Sequence, residues 1–205
     1  MHFNENIMKK SLLQIKLIII LLCTFMNTSC ILGAIAGGAA IGITTSIVLY
    51  DKRDINTIVN DKSISHQVTL RINSDSKLKH QAHIVINTYN GWVLLAGQTP
   101  NKQLRSKAQS LAKSVTGIKR LYNEINVAPN SSLKQHFIDS WITTKIKTKL
   151  LNKNKFSMGS ISITTENSTV FFMGMVTKSQ AKIIADVASQ ISEVKKVIKI
   201  FQYER

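Results

Sequence analysis

Beyond Asp51 the hydrophobic and polar positions repeat with a period of two in two places, and a helical period follows each. The runs are IVINTYNGWVLLAG (Ile84–Gly97) and ISITTENSTVFFMG (Ile161–Gly174). At an offset of 77 they are identical at Ile84/Ile161, Ile86/Ile163, Thr88/Thr165, Asn90/Asn167, Val93/Val170 and Gly97/Gly174. Each run reads as a β-hairpin, because β-rich halves flank Asn90-Gly91 in one and Asn167-Ser168 in the other. Next, Leu104, Ala108, Leu111, Ala112 and Val115 fall on one helical face, as do Ile184, Val187, Ala188 and Ile191. A final strand closes each copy, GIKRLYNEINV and EVKKVIKIF.

Each copy also opens with a helix. Asp61 stands before KSISHQVTLRI and Asp139 before SWITTKIKTKLL, and aspartate is a favoured N-cap. The unit is therefore α-β-β-α-β, present twice, which predicts an α+β fold. Each element has a single apolar face, so the simplest packing is a three-stranded sheet with two helices on one side. The boundaries are 61–127 for the first unit, 128–138 for a linker rich in Pro, Asn and Ser, and 139–204 for the second.

The N-terminal pattern is different. A basic stretch ends at Lys16, Leu17–Phe25 is apolar, and Asn27-Thr28-Ser29 precedes Cys30. That order is one of a secretory signal, here residues 1–29. A small residue before cysteine resembles a lipobox, with cleavage before Cys30 and a lipid on its thiol. Position −3 is Asn27 rather than the usual Leu. The competing reading is a retained inner-membrane helix within residues 17–50, which carry no charge. Either way residues 30–60 form an apolar segment and linker to a membrane. With Cys23 removed and Cys30 lipidated, no thiol remains for a disulfide or a thiolate metal site.

Composition adds one fact that pattern does not. The 205 residues are 44% hydrophobic and 19% charged, as in a globular chain, but 27 Lys+Arg against 11 Asp+Glu leave +16. Such a field favours anionic partners, either a membrane surface or nucleic acid. The export pattern, and the lack of a basic-aromatic stacking array, argue against nucleic acid.

In order, the stretches VLLAGQTPN, YNEI, WITTK, ITTEN, MGMVT and ADVAS, behind a lipobox, resemble the BON-domain family and within it the dual-BON outer-membrane lipoproteins. The likeness runs from Cys30 to Phe201, and the basic surface departs from it. It implies two tandem BON domains facing the periplasm, no enzymatic activity and no cofactor. The implied role is support of the outer membrane, with the division site as one expected place of action. An envelope protein-protein adaptor is the alternative.

Candidate chemistry is sparse. His80-x-x-His83 is the one close histidine pair and has no Cys or acidic neighbour in sequence. No phosphate-binding glycine loop or acid/base pair stands out. On the second opening helix, Ile142, Ile146 and Leu150 form one stripe, and Trp141, Lys145 and Lys149 the next. Tryptophan suits a membrane interface, and lysine reaches anionic headgroups. The alternative is a core tryptophan beside solvated lysines. The resemblance implies that this helix and nearby loops bind anionic phospholipid such as phosphatidylglycerol or cardiolipin, and Gly174-Met175-Val176 matches one such loop. The candidate lipid-binding residues are Trp141, Ile142, Lys145, Lys149, Gly174 and Met175.

Overall fold

The structure is a computed structural model that describes residues 51, 53–153 and 158–204; Cys30, residues 1–29 and the apolar residues 17–50 lie outside it. In chain order the first unit holds α1 (Ile55–Asn73), α2 (Ser76–Gln81), β1 (His83–Tyr89), β2 (Trp92–Thr99), α3 (Lys102–Lys113) and β3 (Arg120–Val127). The second holds α4 (Leu133–Leu151), a 3-10 turn (Met158–Ser160), β4 (Ile161–Glu166), β5 (Thr169–Val176), α5 (Lys178–Ser189) and β6 (Lys196–Tyr203). This is the expected pair of α-β-β-α-β units, with α2 an addition to the first.

The two sheets share one topology. β2 and β5 lie in the middle, antiparallel to β1 and β4 and parallel to β3 and β6. The register repeats too: Ile84 faces Gly97 as Ile161 faces Gly174, and Val93 faces Leu121 as Val170 faces Val197. Both hairpins turn through two residues of positive φ, Asn90 (50°) with Gly91 (75°) and Asn167 (49°) with Ser168 (60°). That conformation matches strand twist, which is why Asn-Gly signals it.

The helix starts correct the sequence reading. α1 is capped by Asp54 and α4 by Ser132, so helix begins at Leu133, inside the segment expected to be linker. Asp61 and Asp139 are not caps. Both are buried inside their helices and hold the hairpin turns. Asp61 accepts from the Asn90 and Gly91 N–H groups at 2.7 and 2.8 Å. Asp139 accepts from those of Asn167 and Ser168 at 2.9 and 2.8 Å. A buried carboxylate is tolerated only when so bonded.

Each unit has a core between its sheet and its two long helices. Val68, Ala108 and Val93 meet in the first; Ile146, Ile184 and Phe172 meet in the second. A third cluster lies between the units: Tyr89, Leu94 and Ala96 pack with Phe171, Met173 and Ile200. The helix-free faces of the two sheets therefore cover one another. Asn87 reaches across to Ser162 and Thr164 at 2.7 and 2.9 Å, and Asn90 to Gln202 at 2.6 Å.

Candidate functional site

Helix α4 is apolar on two opposite sides. Ile142, Ile146 and Leu150 point inward and are fully buried. Leu133, Phe137 and Trp141, four residues apart, fall on the outward side and are 78%, 76% and 56% exposed. Residues spaced by four stack along a helix face, so the three form one stripe, and Leu151 extends that side at the far end. Leu133 and Phe137 lie in 128–138, where Pro, Asn and Ser predict a linker rather than a helix. With Ser132 as the N-cap, the i, i+4, i+8 spacing of Leu133, Phe137 and Trp141 is the signal of the stripe.

Along one edge, Trp141, Lys145 and Lys149 face Ile191, Ser192 and Glu193 of the loop after α5 across a shallow groove of about 430 Å³. The Lys145 ammonium lies 5.1 Å from the centre of the Trp141 ring, within cation–π reach. It is also bonded to Glu193 at 2.7 Å. That hydrogen bond is the main reason the Glu193 carboxyl is held down to about 2; the Glu193 backbone N–H and the Ser192 hydroxyl add to it. So Lys145 is not the free cation expected of it. Lys149 is exposed, as are Lys134 and Lys147 beside the stripe.

The six candidate residues thus divide. Trp141, Lys145 and Lys149 are brought together at the surface. Ile142 is correctly a core position and is closed to any surface ligand. Gly174 is buried in β5, where a Cβ would lie 2.3 Å from the Ser160 carbonyl oxygen. Its role is to let the 3-10 turn and β4 approach the strand. Met175 is half-buried against the cluster between the sheets. Neither Gly174 nor Met175 lines the groove beside Trp141. Among the described residues no helix is long and apolar enough to cross a membrane.

The BON domain family model matches residues 60–129 and, a second time, 138–205. The chain belongs to the BON domain family. Its BON domains extend over most of the described residues, one per sheet. The outer membrane lipoprotein DolP of Haemophilus influenzae is 38% identical over 188 residues, 92% of this chain and 95% of that one. The 21 kDa hemolysin of Actinobacillus pleuropneumoniae is 38% identical over 153 residues, 75% and 79% of the two chains. Two BON copies and a relationship of this extent place the chain with the dual-BON outer-membrane lipoproteins. CdsD of the Chlamydia trachomatis type III secretion system aligns at a TM-score of 0.30 and 9% identity, over 69% of this chain and 92% of that one, which is too remote to build on.

Proposed function

We propose that this lipoprotein is a non-enzymatic, periplasm-facing protein whose second BON domain rests on anionic phospholipid through α4, and that it thereby helps to maintain the outer membrane, including at the division site. Cys30 would carry the lipid anchor. The observation that carries the reading is the outward stripe of Leu133, Phe137 and Trp141 on a helix already satisfied on its inner side. A row of large apolar side chains flanked by lysines is the surface of an interfacial helix, with aromatics at headgroup depth and ammonium groups toward phosphate. The formal charge of +16 favours phosphatidylglycerol and cardiolipin over neutral lipid.

A chain beginning at Asp51 lacks Cys30, so any vesicle binding it shows comes from the folded part. It should float with phosphatidylglycerol vesicles, and Trp141→Glu should abolish flotation while leaving the melting temperature within about 2 °C, because the exposed ring supports no core. A folded Trp141→Glu protein that still floats would remove the site. Loss of an envelope protein partner in place of lipid binding would support the adaptor reading.

A further inference from the structure

His83, His136 and Glu166 come from β1, α4 and β4, and so from both BON domains. One ligand atom from each lies within 4.8 Å of those of the other two. The close sequence pair His80 and His83 does not make this site: His80 is exposed on α2, and the partner of His83 is His136, with ring centres 4.8 Å apart.

Two atoms in the cluster lack what burial demands. Glu166 is only 7% exposed, and among the described residues its carboxylate oxygens reach His83 Nε2 and Gln98 Nε2, each at 3.4 Å. That is weak compensation for a charge removed from water. His83 Nε2 is itself buried and has no hydrogen-bond partner among the described residues, since its approach to Glu166 has ion-pair distance without hydrogen-bond alignment.

We propose that His83, His136 and Glu166 bind a Zn²⁺ ion that joins the two BON domains. Two imidazoles and a carboxylate are a recurrent zinc ligand set, with a water completing the tetrahedron. Bonds of about 2.0–2.1 Å in that geometry set neighbouring ligand atoms roughly 3.4 Å apart. His83 Nε2 and Glu166 Oε1 already stand at 3.4 Å. His136 is half-buried in the first turn of α4, and its ligand atom lies within 4.8 Å of the other two, so a small side-chain shift would complete the set. Zinc would give the orphaned nitrogen its partner and the buried carboxylate its countercharge. The outer contacts fit as well. Gln98 accepts from the Ser131 N–H at 3.3 Å with its oxygen, which turns its amide nitrogen toward Glu166 Oε2 at 3.4 Å, the place of an outer partner to a metal-bound carboxylate. Ca²⁺ and Mg²⁺ prefer all-oxygen sites and would not compete. The His83 side chain is 37% exposed, which leaves a way in. Because His136 adjoins Phe137, the ion would also brace the end of α4 that carries the outward stripe.

The test uses the full chain in detergent, stripped of metal, with Zn²⁺ titrated against a chromophoric chelator. One equivalent should bind and raise the melting temperature, and Co²⁺ should give the visible bands of a four-coordinate site. His136→Ala and Glu166→Gln should each weaken Zn²⁺ by more than about tenfold and remove the thermal shift, and Gln98→Ala by about 10–100-fold. His80→Ala should bind as the native chain does. His136 is the informative position, because among the described residues its side chain packs on the ring of His83 and makes no hydrogen bond, so the metal-free variant should melt like the metal-free native chain. A native chain that cannot compete with the chelator would overturn the proposal. So would Zn²⁺ affinity unchanged in His136→Ala, or equal displacement by Mg²⁺.

Discussion

Asp139 shows how much one side chain settles. Its two oxygens take the N–H groups of Asn167 and Ser168, a turn that glycine would favour and serine does not. Gln135 adds a bond to Asp139 and another to the Ser168 hydroxyl. Removing the carboxylate strands two turn donors beside a left-handed serine. Hydrogen bonds to a charged group contribute about 1.5–3 kcal/mol each, so Asp139→Ala should cost about 3 kcal/mol and lower the melting temperature by roughly 10 °C. A loss under about 1 kcal/mol in urea unfolding would mean the turn holds itself. Glu193 would act in the opposite sense on the proposed lipid binding. Its carboxyl is depressed to about 2 by Lys145, so the pair's stabilisation is complete above the ordinary glutamate value of about 4.3 and is lost as pH falls through about 2. Glu193→Gln frees Lys145 at neutral pH. At low salt it should tighten binding to phosphatidylglycerol vesicles about fivefold, one lysine near an anionic surface being worth about 1 kcal/mol. Sedimentation with vesicles at increasing salt would show that gain shrinking, since only the Coulomb part is screened.

At the level of elements, the hairpins, α3, α5 and the closing strands were legible because their periods are local and their turn residues chemically distinctive. The start of α4 was not. Serine, aspartate and glutamine suit both a loop and a first helical turn, and an aspartate ahead of an apolar stripe looks the same whether it caps a helix or clamps a hairpin. The middle strands carry a further signal. WVLLAG in β2 and VFFMGM in β5 are apolar at consecutive positions, which denotes a strand covered on both faces. Val93 and Leu95 face the helices while Leu94 and Ala96 face the other domain. Local pattern could announce a second cover but not identify it, since the partner sheet lies far along the chain. The same holds for His83, His136 and Glu166, which no spacing rule connects. The paired glycines Gly97 and Gly174 are backbone requirements, for a reason only the structure shows. A Cβ on Gly97 would stand 2.0 Å from the His83 carbonyl oxygen, at a φ of +119°. Gly97→Ala should therefore destabilise the first domain by more than 3 kcal/mol in denaturant unfolding, as an incompatible backbone and a main-chain clash combine.

For the whole molecule, the cluster between the sheets makes the tandem more than two beads. Phe171 is 2% exposed and Met173 1%, both buried by the partner domain rather than by their own helices. A second domain expressed alone would bare that apolar face, including Ile200, on the side of the sheet away from α4. It should then aggregate or dimerise, where the tandem stays monodisperse in size-exclusion chromatography. The same contact couples stability. With the packed faces and the Asn87 and Asn90 bonds across them, the tandem should melt in one calorimetric transition, its van't Hoff and calorimetric enthalpies agreeing. Phe171→Ala removes a large ring from the centre of the contact and should cost about 3–5 kcal/mol. Because it leaves both helix-facing cores intact, it should divide the single transition in two, one per domain. A Phe171→Ala protein that still unfolds in one transition would place the coupling elsewhere, in the segment from Ala128 to Ser132 or in the contacts around Glu166. Comparing that melt with and without Zn²⁺ separates those two, since only the contacts around Glu166 would respond to the ion.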